Sequence, residues 1–418
     1  MKTRYLIILI ALFAGIFACK EEERFGINSD DSVPPGQPTL VGTKRLNGGA
    51  RIFYKIPSDK DLLSINAEYV SATGKTGKFS ASYFKDSLDV YGMTDTVPQT
   101  IQLYAVDRAG NKSESVPVSV TPMESVISLV AKSVSVKPGF SSFFVDWTNE
   151  LAQSVKVFVD FNFTQNGVFR EYTTVFSSNA LTERRFINDL ALTAQEPVSV
   201  KVRVEDIYDN MTAPINMGSV VVLQDEVIPK DKWLLPNTGD SVGGQPQFFS
   251  ATPKTAAIDG IIDDLAQGLL YTHTNSRGRT GNTADGNVPW NILIDLGDYY
   301  ELSRVLVHQR RQNSSPLNIG LYFGSENVGR YNIHYLDKDT GEWVYCSQRT
   351  VPIPTGVSDL EKIMIALAGD MAYFYPDDPK FTKPARWFRY EAIAGFGSNY
   401  TATNALSLCE ITLYGKKK

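Results

Sequence analysis

The run Gln309-Arg310-Arg311-Gln312-Asn313 gathers two guanidinium forks and three carboxamides in five residues, directly after the apolar text Val305-Leu306-Val307. Forked donors of this kind grip pairs of hydroxyls or a carboxylate. Two adjacent arginines cannot both follow the inward alternation of a strand, so at least one faces a loop end or solvent. A flat aromatic face would complete a site for a hydroxyl-rich ring, and Tyr373-Phe374-Tyr375, Phe396 and Tyr400 are the aromatics at hand. The candidate ligand residues are therefore Arg310, Arg311 and Gln312, with Tyr375 and Phe396 as platforms. Other chemistries find little material. Three His and three Cys are too few for a Cys/His zinc module or a disulfide framework. The adjacent carboxylates Asp263-Asp264 and Asp377-Asp378 make poor hydrolytic pairs, because neighbours on a strand point to opposite faces and the second pair sits between Pro376 and Pro379. HExxH and P-loop patterns do not occur. A net charge of −5, with 41 Lys+Arg against 46 Asp+Glu, argues against nucleic acid. The expectation is a binding protein and not an enzyme. A glycoside-active enzyme and a structural or docking subunit are the alternatives.

The elements that must position these residues are strands. At 418 residues the chain is long enough for about three domains of ~100 to 200 residues. From Thr39 to Leu223, period-two runs such as Ala50–Ile56, Thr100–Val106 and Ser154–Phe161 alternate with turn signals at Asn47-Gly48-Gly49, Gly110-Asn111 and Asn166-Gly167. That spacing predicts β-sandwiches. A repeat reinforces it: Asp107, Asn111 and Ser113 align with Asp206, Asn210 and Thr212 at a constant offset of 99, the size of one sandwich. The matched Asp and Asn can close a tight turn through side-chain-to-backbone hydrogen bonds. Here the text resembles fibronectin type III modules. The polar stretch Gln224 to Asn237 then predicts a linker. Cys346 and Cys409 lie in apolar strand-like text, which favours buried free thiols.

The N-terminus carries Lys2 and Arg4, an apolar run from Tyr5 to Ala18, and then Cys19. The run of about fourteen residues is short of the ~20 that a membrane-spanning helix needs. Ile16-Phe17-Ala18-Cys19 resembles a bacterial lipobox, which implies a signal peptide over residues 1–18 and lipidation at Cys19. Lys20-Glu21-Glu22-Glu23 resembles the acidic tag by which Bacteroidetes export lipoproteins to the cell surface. Gly and Pro through residue 38 read as a flexible tether over 19–38.

The C-terminal text holds, in order, Ala257-Ile-Asp259-Gly260, Pro289-Trp290 to Gly297, Gly329 to Trp343, and Ala385 to Tyr390 followed by Leu408 to Gly415. Together these resemble the discoidin, or coagulation-factor 5/8 type C, module, a galactose-binding-like jelly roll. The resemblance implies a structural Ca²⁺ between the Asp-Gly turn and the acidic residue opening the last strand, by position Asp259 and Glu410. The sequence departs from the family in the longer stretch Ile261 to Gly281 after that turn. The expected fold is thus all-β, two tandem immunoglobulin/fibronectin III-like sandwiches over 39–122 and 123–226 and a discoidin-like jelly roll over 237–416. The whole chain resembles surface lipoproteins encoded beside glycan-uptake systems of Bacteroidetes. That implies an outer-membrane, lipid-anchored protein with a glycan or polysaccharide as ligand and transporter components as partners.

Overall fold

The computed structural model describes residues 31–71, 74–188, 197–236, 253–262, 271–273, 290–310, 322–324, 327–396 and 407–418. The chain is all-β, and its three cores follow one another along the sequence. Cys19, with the leader and the acidic tag, lies outside the described residues. Among the described residues no helix is long and apolar enough to cross a membrane.

The first module packs two sheets face to face. Strands β1 (Thr39–Leu46), β2 (Gly49–Lys55) and β5 (Ser87–Tyr91) form one, in the order β1-β2-β5. The other runs β4-β3-β6-β7, from β3 (Leu62–Val70), β4 (Thr76–Ser82), β6 (Gln99–Asp107) and β7 (Val116–Val120). Alternation puts Ile65, Ala67 and Tyr69 of β3 against Ile101, Leu103 and Ala105 of β6 and leaves the intervening residues outward.

The second module begins with a short helix, Val126–Ser133, whose Val126, Ile127 and Val130 are buried. Its sheets are β12-β9-β8 and β11-β10-β13-β14, built from β8 (Ser135–Gly139), β9 (Ser142–Thr148), β10 (Val155–Gln165), β11 (Val168–Ser178), β12 (Thr182–Ile187), β13 (Pro197–Glu205) and β14 (Ile215–Val221). Every second residue of β10 and β13, Val155 to Phe163 and Val198 to Val204, faces the core.

The repeated turn has the same bonds in both copies. Asp107 accepts from the backbone N and Nδ2 of Asn111 at 2.8 and 2.9 Å, and Asp206 accepts from Asn210 at 3.0 Å in both bonds. Ser113 Oγ and Thr212 Oγ1 then cap the backbone N of Ala105 and Val204. Three polar positions per repeat therefore close one strand-to-strand turn in each module.

The stretch expected as a linker is built into the C-terminal module. Glu226–Val227 forms strand β15, paired with Gly415 and Tyr414, and Ile228, Trp233 and Leu235 sit in the C-terminal core. The C-terminal sheet runs β15-β23-β17-β21-β18-β19, with β20 also paired to β17; a separate pair is β16-β22. Its members are β16 (Thr272–His273), β17 (Trp290–His308), β18 (Val328–Leu336), β19 (Trp343–Thr350), β20 (Asp370–Tyr373), β21 (Pro384–Gly395), β22 (Ser407–Leu408) and β23 (Glu410–Lys417). Strand β17 lies between β21 and β23: Trp290–Asp295 and Tyr300–Glu301 pair with β21, Arg304–Val307 with β20, and Tyr300–His308 with β23 on the other edge. Gly297 lies in the register irregularity between Asp295 and Tyr300. Its φ is +78°, and a Cβ there would lie 2.6 Å from Lys232 Cβ. Among the described residues, Cys346 and Cys409 are not joined in a disulfide, and Cys409 Sγ donates to Ile261 O at 3.6 Å.

Candidate functional site

Strand β17 delivers Arg310 to one end of the C-terminal module. The backbone N of Arg310 donates to Asn327 Oδ1 and its carbonyl accepts from Asn327 Nδ2, both at 2.9 Å, so a buried carboxamide stands in for a strand neighbour. The guanidinium lies over the Tyr271 ring, 4.0 Å from its centroid, and Nη1 donates to Ser407 Oγ at 3.2 Å. Pairing of Thr272 with Leu408 and His273 with Ser407, and the bridge between Asn327 and Ser407, bring four chain segments to this point. Arg311 and Gln312 fall outside the described residues, as do Asp263, Asp264 and Tyr400.

Phe396 belongs to the same end, since its backbone N donates to Asn327 O at 3.1 Å, but its ring is 5% exposed and packs edge-on against Phe323. It supports the mouth from within and offers no open face. Tyr375 is elsewhere. Tyr373 pairs with Arg304, six residues before Arg310, and Phe374 N bonds to Ser303 O. At about 3.3 Å per residue this is about 20 Å down the strand, and the chain onward to Tyr375 leads further away. The Tyr375 hydroxyl is instead engaged with Tyr335 and Cys346, and burial drives both the phenol and the thiol upward, Cys346 to about 12. The ring beside Arg310 is Tyr271, which sequence reasoning missed; 7% exposed and covered by the guanidinium, it holds Arg310 in place and is not an open platform.

The residues at the position for a calcium ion do not fit one. Glu410 is 1% exposed; its Oε1 is paired with the Lys230 ammonium and its Oε2 accepts from Gly260 N at 3.1 Å. Asp259 is exposed and its Oδ1 accepts from Ile261 N at 2.9 Å. Ca²⁺ takes six to eight oxygens. Here one carboxylate already holds a cation, and that cation would repel a second. Burial brings the Lys230 pKa down to about 8, with the Asp259 carboxylate pulling the other way.

A second polar constellation covers the outer face of the main sheet. Register aligns Leu293, Arg389, His334 and Tyr345 in one row and Asn291, Glu391, Asn332 and Gln348 in the next. Arg389 Nη2 donates to His334 Nδ1 at 2.9 Å, so His334 Nε2 carries the proton that meets Glu391 Oε2 at 3.1 Å. Asn332 Nδ2 donates to the same oxygen and Gln348 Nε2 to Asn332 Oδ1. Burial foremost, and Arg389 next, push the His334 pKa below its ordinary value, against the pull of Glu391. The set comes from three strands, so no local motif announced it.

Two family models match parts of the chain. One, described as "Domain of unknown function (DUF4959)", covers residues 35–122, and one described as "Domain of unknown function", DUF5000, covers residues 270–415. No match is found among curated proteins. Among solved structures, a SusE-like protein is similar at 16% identity over 70% of this chain and 100% of its own, with a TM-score of 0.36. CpGH89CBM32-6 of Clostridium perfringens is similar at 12% identity over 46% of this chain and 100% of its own, TM-score 0.24. A two-domain fibronectin type-III segment of chicken tenascin is similar at 16% identity over 43% of this chain and 97% of its own, TM-score 0.20.

Proposed function

We propose that this chain is a carbohydrate-binding surface protein, lipidated at Cys19, held at the outer membrane and supporting polysaccharide capture and uptake. The observation that carries the reading is the Arg310 guanidinium stacked on Tyr271 and tied to Ser407 at an end of the jelly roll where four chain segments meet. A planar cation fixed over a ring presents directional donors at the rim, which suits a hydroxyl pair or a uronate carboxylate. The resemblance of the leader to a lipobox and of the C-terminal text to the discoidin module supports the same reading. The two sandwiches act as spacers between anchor and site. Binding proceeds without turnover, and delivery is to outer-membrane transporter components.

Affinity electrophoresis against a panel of plant and host polysaccharides identifies the ligand. Arg310→Ala should then weaken binding roughly ten- to a hundredfold, the worth of one charge-assisted contact. Arg310→Lys should also weaken it, because an ammonium keeps the charge and loses the planar fork. Both variants binding like the parent would move the site elsewhere. Release of reducing sugar from a bound polysaccharide would favour the enzyme instead, and no binding across the panel would favour a docking subunit. Palmitate incorporation that persists in Cys19→Ala would remove the anchor.

A further inference from the structure

Glu410 opens β23 with its carboxylate inside the module, and a buried carboxylate demands compensation. Two groups supply it. The Lys230 ammonium contacts Oε1, and Gly260 N–H donates to Oε2 at 3.1 Å. Lys230 is itself placed by the fold: Val227 pairs with Tyr414, Ile228 N donates to Leu413 O at 2.9 Å, and the ammonium lies 5.4 Å from the Trp233 ring centroid and 3.3 Å from Thr412 Oγ1. Thus the ammonium and the Asp259–Gly260 turn meet on the two oxygens of the same carboxylate.

We propose that Lys230 is a built-in cation at the closure of the C-terminal jelly roll, holding the Asp259–Gly260 turn against β23 in place of a divalent metal. A tethered ammonium neutralises Glu410 without leaving solution to do so, and its donors run to Glu410 and Thr412 as an ion's contacts would. Asp259 then needs to bind nothing: it faces solvent and shapes the turn through Ile261 N. The inference is independent of any glycan.

Thermal melts of the purified protein in chelator and in millimolar CaCl₂ test it, because a metal that binds the folded state raises the midpoint with its concentration. The parent midpoints should coincide. Lys230→Met should lower the midpoint by several degrees and Lys230→Arg should lower it less. The double variant Lys230→Met, Glu410→Gln should regain part of the loss, since a neutral carboxamide still accepts from Gly260 and leaves no buried charge. A calcium-dependent rise in the parent, or a Lys230→Met protein as stable as the parent, overturns the proposal. If Lys230→Met yields no folded protein, the double variant decides: recovery of a folded state supports the proposal, and failure to recover overturns it.

Discussion

His334 shows how a single side chain on an outer sheet face becomes titration-sensitive. Arg389 donates to one ring nitrogen, Glu391 accepts from the other, and Tyr345 stands edge-on at 5.5 Å. The neutral ring satisfies both partners, whereas protonation would set a second cation against Arg389 in a site that is 6% exposed. The folded pKa therefore lies below the ordinary 6.5. The unfolded chain takes up its proton first, so stability is full above about pH 6.5 and falls as the pH drops toward the folded value. Urea midpoints measured across this range should decline in the parent, and the decline should shrink in His334→Gln. An identical pH slope in the two proteins would place the acid sensitivity in other groups. At this scale the sequence was partly legible. Arg310 stood out by its cluster of donors, but Tyr271, Ser407 and Asn327 carry no local mark, because each gains its role only when β16, β22 and the start of β18 meet. Tyr375 was misplaced for the same reason: strand register sets its distance from Arg310, and composition carries no register.

At the scale of elements, the stretch from Gln224 to Pro236 was the largest misreading. Two prolines and five charged residues look like a solvated linker. Three of the charges are in fact partners for residues far along the chain. Asp225, with a fully buried side chain, accepts from Ser303 Oγ at 2.6 Å and from Arg304 at 2.8 and 2.9 Å. Lys230 meets Glu410, and Lys232 meets Asp298. Pairings across 66 to 180 residues leave no periodic trace, whereas the alternation of β10 or β13 is written in consecutive residues, which is why the sandwiches were readable and this strap was not. Removing Asp225 would leave the Arg304 charge half-buried against β17. Asp225→Ala should cost about 3–5 kcal/mol, the usual loss on breaking a buried ion pair from one side. Limited proteolysis supplies a second readout. The parent should resist cutting between Gln224 and Pro236, and the variant should be nicked there; equal cutting in both would mean that β15 is not held by this pair.

On the scale of the whole molecule, the two junctions between modules differ in kind. The first combines a hydrogen bond and aromatic contacts with an open cleft. Asn210 Nδ2 donates to Gly92 O at 3.1 Å, Tyr208 stacks on Tyr91 with centroids 6.5 Å apart, and a cleft of about 310 Å³ remains between Asn47, Met93, Gln153 and Tyr208. The second is aromatic and closed. Phe140, on the turn between β8 and β9, is 1% exposed and touches Tyr373 and Phe381 of the C-terminal module at 5.6 and 5.0 Å. Phe186 reaches Tyr373 at 5.7 Å, and Arg184, held by Asp146, donates to Pro376 O at 2.6 Å. A closed aromatic contact couples the stabilities of the modules it joins, while one with an open cleft lets them open separately. The second sandwich and the jelly roll should therefore unfold together, and the first sandwich apart from them. Phe140→Ala tests this, because truncating a buried phenyl costs about 3–5 kcal/mol and here removes contacts on both sides of the junction. Calorimetry of the parent should show two transitions. In the variant the larger should split, the jelly roll melting apart from the second sandwich, with the first sandwich's transition unmoved. A variant that keeps the parent's two transitions, merely shifted, would show that Phe140 stabilises its own module and that coupling runs through Asp225 and β15.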